Sequence, residues 1–442
     1  MPGRRGRQGH EQRQPSHATE SNCCYYTCQG LHSRQLQEEV AMTSTPRSAF
    51  ATHWGDIAAQ LLRIGATAYG GPAIMGIMQA ELQEKRGWVS KERFVEGLSL
   101  VNMLPGATAA QLSIFLGYAR GGGWGGLLAG LCFIVPGFLV LLALTVGYAA
   151  FGATPMLRGA LYGLGPVVLG IYVVAIYRLG KVAISTRSQI VIAVAAAMAA
   201  LTTPLGVAWI LLLAGGAGLW LFHSRRWGTA ALAGLAVGLA VVHVVSRWTP
   251  APGAAEAGDA PGAGLVQLAT FLLEVGALTF GGGLTMIAFI QERVVGQFQW
   301  LTPQEFIDGL ALGQLTPGPV LLVAAYVGYK VAGIGGAAVG GAAAFLPSFV
   351  MMLALLPVFD RVRTLVWTRA ALRGIAPAVI GVLAVSLVRL LPHALPDLTA
   401  VATLVVTVVV LAVWRVATLK IMLLGAGLGI VRSRLVTLPG GS

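Results

Sequence analysis

The sequence predicts an all-α polytopic membrane protein with about 13 transmembrane helices in two tandem repeats of inverted topology. Three observations lead there. Of its 442 residues 56% are hydrophobic and 11% charged, against roughly 25% charged in an average soluble domain. Apolar runs of about 20 residues, enough to cross roughly 30 Å of hydrocarbon, follow one another from about residue 56. Finally, a pattern of Gly, Pro and polar residues in the first half returns in the second at an offset of 211 or 212 residues.

Composition also removes several function classes. So apolar a chain is not intrinsically disordered, and four Cys in this length do not make a disulfide scaffold. Lys plus Arg number 30 against 17 Asp plus Glu, a formal charge of +13. The basic residues fall in the tail and in short connections, which suits loops at an anionic membrane surface better than a nucleic-acid face.

Residues 1–45 form a polar, Arg-rich tail with no apolar core behind its arginines, so it is no signal peptide and reads as disordered. Met42 marks an alternative translation start. Cys23, Cys24 and Cys28 sit in this tail without a downstream partner pair, so no metal site is expected there. The first repeat, 46–247, holds apolar runs at 57–80, 94–118, 125–150, 159–180, 188–203, 205–222 and 228–247. They read as helices, because no water is available at that depth and the backbone must satisfy itself. A Pro, Gly and Ala-rich linker, 248–264, carries Glu256 and Asp259. The second repeat, 265–442, holds runs at 265–291, 304–329, 333–357, 369–391, 397–414 and 416–432.

Seven crossings in the first repeat, an odd number, would send the second into the membrane the other way up. Loop charges leave the orientation open. An inside N-terminus puts Arg178, Lys181, Arg187, Arg225, Arg226, Arg361, Arg363 and Arg369 in the cytoplasm but strands Lys85, Arg86, Lys91 and Arg93 outside.

The chemistry lies in the repeated breaks. Tyr69-Gly70-Gly71-Pro72 and Leu104-Pro105-Gly106 return as Phe280-Gly281-Gly282-Gly283 and Thr316-Pro317-Gly318. Pro removes an N–H and blocks a carbonyl, and paired Gly lets a helix unwind. A broken helix at the midplane presents a half-helix N-terminus, with roughly +0.5 charge and free N–H groups for an anion. The ordinary alternative is close packing at Gly and a kink at Pro. Asn102, Gln111 and Gln314 sit near the breaks as neutral amide donors, or else as interhelical hydrogen bonders. Arg158 with Arg369 and Arg178 with Arg389 are repeat mates whose planar forks match a tetrahedral oxyanion, although snorkelling at helix ends also accounts for them. Glu96 and Asp308, also mates, are candidates for a coupling proton or for capping. His53, His223, His243 and His393 fall near helix ends, and no catalytic triad, paired CxxC or P-loop appears.

Taken together these residues resemble the chromate ion transporter family in its long, two-domain form. The resemblance rests on Tyr-Gly-Gly-Pro at 69–72, Asn-Met-Leu-Pro-Gly at 102–106, Gln-Leu-Ser-Ile-Phe-Leu-Gly-Tyr at 111–118 and Phe-Ile-Val-Pro at 133–136. The second half adds Phe-Gly-Gly-Gly at 280–283, Trp-Leu-Thr-Pro-Gln-Glu-Phe at 300–306, Gly-Gln-Leu-Thr-Pro-Gly-Pro-Val at 313–320 and Phe-Leu-Pro-Ser-Phe at 345–349. Tyr69 stands where the family usually has Phe, and Ala107 where it tends to repeat Pro. The resemblance implies a multi-pass protein of the bacterial inner membrane that exports chromate and gives chromate resistance.

The expectation is therefore a secondary transporter, not an enzyme, with no cofactor or metal. Gly70, Gly71, Pro72, Asn102, Pro105, Gly106, Gln111, Gly281, Gly282, Gly283, Gln314, Pro317 and Gly318 are its candidate substrate-binding residues, with chromate or sulfate as substrate, the lipid bilayer as partner and a homodimer as candidate assembly. Rival readings are a sulfate or other oxyanion transporter, an intramembrane lipid-acting enzyme and a non-transporting scaffold.

Overall fold

The computed structural model describes residues 46–69, 71–152, 154–248, 263–280, 283–358, 366–414 and 416–437. The tail with its three Cys, most of the linker, Gly70, Gly281, Gly282, Arg361 and Arg363 lie outside the described residues, as does the His243 side chain. Fifteen α-helices and no strands occur among the described residues. The first repeat gives α1 (Pro46–Thr67), α2 (Gly71–Met78), α3 (Lys91–Met103), α4 (Thr108–Phe151), α5 (Pro155–Ala183), α6 (Arg187–Thr202) and α7 (Val207–Phe222). Helix α8 (Arg225–Trp248) follows without a counterpart. The second repeat gives α9 (Ala263–Leu278), α10 (Thr285–Ile290), α11 (Pro303–Leu315), α12 (Val323–Leu355), α13 (Val366–Ala394), α14 (Leu398–Val413) and α15 (Thr418–Thr437). Trp248 and Ala263, at the ends of the linker, are helical.

Four of the apolar runs are broken, 57–80 into α1 and α2 and 265–291 into α9 and α10, and two others fold back on themselves. The run 94–118 divides into α3 and the first limb of α4, and these limbs are antiparallel, with Gly97 against Phe115. The run 304–329 does the same, Gly309 facing Tyr326 and Gly313 facing Val323. The cause is local. Leu104 and Thr316 leave the helix in extended conformation, and Gly106 and Gly318 take φ of 124° and 101°, a turn that L side chains resist. With 13 residues, α3 and α11 each reach about 20 Å at 1.5 Å per residue, less than a bilayer core. Each half thus holds a re-entrant hairpin with a Pro-Gly tip.

A second bend in each half turns the chain back toward a full crossing. Gly121 and Gly122 interrupt α4, and Ala332 and Gly333 interrupt α12, with φ of 63° at Gly122 and 62° at Gly333. Beyond the bends, α4 and α12 are among four helical segments long and apolar enough to cross a membrane, with α5 and α13.

The halves are inverted with respect to each other. Past its bend, α4 lies against α12 with Gly126 on Leu353, Gly130 on Phe349 and Phe138 on Gly341, so one helix advances as its mate recedes. Neither half is a separate globule. Helix α5 packs on α14 and α15 of the other repeat, while its mate α13 packs on α6 and α7 of the first. Small residues make this exchange close: Gly159 and Gly163 meet Gly425 and Gly429, and Gly374 meets Ala214 and Gly218. At these seams a Cβ would strike backbone, which accounts for part of the high glycine content.

Polar pins complete the exchange. Arg178 donates to Leu411 O (2.7 Å) and its mate Arg389 donates to Ala200 O (2.8 Å), each closing the last turn of the other half's helix. Asp397 caps α14 through Ala400 N–H (2.9 Å) and accepts from Tyr162, Thr399 and Arg432. The Thr399 and Tyr162 hydroxyls and the Ala400 N–H hold its carboxyl well below the usual carboxylate range.

If the glycine seam holds the halves together, Gly163→Val should lower the unfolding midpoint of the detergent-purified protein by the equivalent of about 3 kcal/mol, the upper range for overpacking. Gly427→Val, where a Cβ meets nothing within 4 Å, should leave it unchanged.

Candidate functional site: the crossing of the broken helices

Each hairpin tip meets the broken helix of the other half. Gly106 N–H donates to Thr279 O (2.6 Å), and Gly318 N–H donates to Ala68 O (2.9 Å). Ala68 and Thr279 are repeat mates that end α1 and α9, so each tip is sealed by the broken helix of the opposite half. Four helices, α2, α4, α10 and α12, begin within a few residues of this crossing, so their positive ends converge on it.

The seal uses donors that an anion would need. Gly106 and Gly318 both spend their N–H groups on it, and Ala107 N–H donates to Ser348 Oγ (3.0 Å). Gly283, φ 99°, lies close to Val320 and Leu321 and so borders the second tip. Pro105 and Pro317 sit at the two tips; Pro105 O accepts from the fully buried Gln111 amide (2.6 Å). Gln111 Oε1 is left without a partner. Gly71 and Pro72 open α2, next to the crossing.

The amide mates differ. Asn102 is exposed and donates to Leu98 O of its own helix (2.8 Å). Gln314 reaches across to Tyr172 Oη (3.2 Å), a buried side chain of the first half. The acidic mates differ too. Glu96 pairs with Arg93 (3.1 Å), both half-buried. Asp308 is only 6% exposed and accepts from Tyr148 of the other half (3.1 Å) and from Gln304 (3.2 Å).

Arg158 faces a cavity of about 350 Å³ shared with Tyr148, Tyr162, Gln304, Asp308 and His393. Neither Arg158 nor its mate Arg369 has a hydrogen-bond or ion-pair partner among the described residues. A neighbouring cavity of about 300 Å³ shares His393 and adds Gln291, Glu292, Gln297 and Arg389. It adjoins a third of about 220 Å³ that reaches Ser386 and the start of α7. From Ser386 a gap of about 10 Å³, roughly one water sphere, leads past Leu284, Ile287 and Leu383 to Tyr172. Tyr172 holds Gln314, three residues before Pro317. The sequence reading missed Gln291, Ser386, Tyr148 and Tyr172; a comparison of repeat mates for polar residues without a polar twin would have found Ser386, opposite Ala175. No group of three or more His, Cys, Asp or Glu that could hold a metal occurs among the described residues.

Comparison with known proteins agrees with this two-part architecture. The sequence model of the family described as Chromate transporter matches residues 55–219 and again 266–430. A chromate transport protein of Cupriavidus metallidurans is 32% identical over 371 residues, 83% of this chain and 90% of that protein. A chromate transport protein of Pseudomonas aeruginosa is 33% identical over 350 residues, 77% of this chain and 82% of that one. A probable chromate transport protein of Synechococcus elongatus is 32% identical over 341 residues, 76% and 84%. No solved structure matches the chain.

Because the tips depend on left-handed glycines, Gly318→Ala should cost about 1–2 kcal/mol from backbone strain alone, since its Cβ would meet only Leu322 at 3.4 Å. Gly106→Ala should cost more, as its Cβ would collide with Ser348 and Gln111. Chemical unfolding of the two variants in detergent checks the order.

Proposed function

Since the chain belongs to the chromate transporter family, we propose that it is a secondary transporter of the bacterial inner membrane that exports chromate and so confers resistance to it. The observation that carries this reading is the crossing. Two re-entrant tips from inverted halves each close on the other half's broken helix, beside the N-termini of four helices, and such a seal is suited to opening toward one side at a time.

In this reading the tips are the barrier and the anion's midpoint. When the halves part, Gly106 and Gly318 lose their carbonyl partners and present bare N–H groups, together with the positive ends of α2, α4, α10 and α12. Neutral backbone donors can replace part of a dianion's hydration without trapping it. The free Arg158, with Arg369 on the equivalent position, attracts the anion from each side. Asp308, buried and bonded across the halves by Tyr148, is the better-placed of the two acidic mates to carry a coupling proton.

The membrane supplies the work. Expelling a dianion from an inside-negative cell gains about 4.6 kcal/mol per 100 mV, which requires no ATP. Sulfate shares the shape and charge of chromate, so a pocket of N–H groups and guanidinium forks separates the two poorly and sulfate should compete. The chain acts in this account as a carrier without covalent chemistry.

The test is flux in proteoliposomes at a potential clamped by a potassium gradient and valinomycin. The expected result is chromate movement toward the positive side, rising with potential and suppressed by excess sulfate. Absence of chromate flux at any potential would overturn the reading, and sulfate flux without chromate flux would replace it with the sulfate transporter.

A further inference from the structure

A polar pocket lies between the start of α7 and the second half's α10 and α13. The π-helical turn Gln291–Gln297 follows α10, as the turn Gln79–Glu84 follows α2. Gln291 is 8% exposed and Ser386, on α13, is 7% exposed. Both line the cavity of about 220 Å³, and neither side chain has a hydrogen-bond partner among the described residues. A buried amide and hydroxyl without partners cost free energy unless something in the cavity bonds them. In the first half Gln79 opens the equivalent π-helical turn and donates to Glu84 Oε1 (3.3 Å), while the mate of Ser386 is Ala175, so the buried, unpartnered pair belongs to the second half alone.

Three further features give the cavity its sign. Arg389 lines it and spends one of its five N–H groups on Ala200 O, its one hydrogen bond among the described residues. Helix α7, 16 residues long, starts at the cavity wall with Gly206 as an N-cap that offers no side chain. In place of a cap, Glu292 Oε2 from the opposite half accepts from Val207 N–H (2.8 Å). The outer side of the same turn carries the Arg293–Glu274 ion pair (3.3 Å). A carboxylate therefore already sits where a helix end and a guanidinium favour an anion.

Resting on the transport reading above, we propose that Gln291, Ser386 and Arg389 form the loading site for the tetrahedral oxyanion, and that Glu292 is a built-in carboxylate that competes with it for the N-terminus of α7. The incoming anion takes hydrogen bonds from the Gln291 amide, the Ser386 hydroxyl, the free guanidinium N–H groups of Arg389 and, as Glu292 withdraws, the first N–H groups of α7. A volume of 220 Å³, against about 30 Å³ per water in liquid, leaves room for an oxyanion with part of its hydration. The site opens inward at Ser386 on the narrow gap to Tyr172 and Gln314, on the way to the crossing. Loading at one side of a closed gate thus follows from the placement of these residues.

Equilibrium binding of chromate and of sulfate to the full-length protein in detergent tests this, alongside flux of the wild type in proteoliposomes. Gln291→Leu and Ser386→Ala should each weaken both anions roughly tenfold, the worth of one hydrogen bond to a charged group. Glu292→Gln should tighten both severalfold, a gain that misfolding cannot mimic. If the wild type carries chromate but all three variants bind as it does, the loading site is overturned while the transport reading stands. If Glu292→Gln weakens binding as much as Ser386→Ala, the competitor role is overturned. If the wild type neither binds nor moves either anion, both readings fall together.

Discussion

Backbone that leaves a helix inside a membrane must find partners within the protein, and in this chain each half supplies them to the other. Gly106 is satisfied by Thr279 O and Gly318 by Ala68 O. This reciprocity imposes much of the remaining architecture. It requires two hairpins of equal depth entering from opposite sides, hence inverted halves. It requires the first helix of each half to end at the other's tip, hence the breaks after α1 and α9. It is met by halves that exchange helices, α5 with α14 and α15, α13 with α6 and α7, rather than by two globules touching along a face.

Magnitudes separate what holds the halves from what seals the path. Two backbone hydrogen bonds contribute about 1 kcal/mol each. The glycine seams along α5, α7, α13 and α15 involve many close atom pairs, each worth about 0.1–0.2 kcal/mol and together far more than the seal. A device of this kind can open its tips without coming apart. The repeat is also not symmetric in its chemistry: Ser386 and the buried Asp308 belong to the second half, opposite Ala175 and the half-buried Glu96, and the buried Gln291 stands where its mate Gln79 bonds Glu84. The scaffold is duplicated while the polar groups have specialised.

Much of this was legible in the chain itself. Hydropathy, the glycine and proline breaks and the constant offset foretell a helical, duplicated membrane protein, and the family's sequence model falls on two segments with the same spacing. The breaks occur where Pro105-Gly106 and Pro317-Gly318 stand. What hydropathy could not convey is direction. A run such as 94–118 is apolar whether it crosses or returns, and only contacts such as Gly97 with Phe115 distinguish the two. Arg178 and Arg389 looked equivalent as anion attractors; both act as pins on carbonyls of the other half, and of the two it is Arg389 that also borders the cavities with Gln291 and Ser386. The polar pocket escaped notice because its members are 95 residues apart in sequence, 291 and 386, and neither stands at one of the Gly and Pro breaks.

The most direct measurement of the central claim is the sidedness of two loops that the repeat makes equivalent. Ser185 lies exposed between α5 and α6, and Pro396, its mate at an offset of 211, lies exposed between α13 and α14. In a background without native cysteines, Ser185→Cys and Pro396→Cys should react with a membrane-impermeant maleimide from opposite sides of the membrane. Labelling of both from the same side would contradict inverted halves and, with them, the shared seal at Gly106 and Gly318.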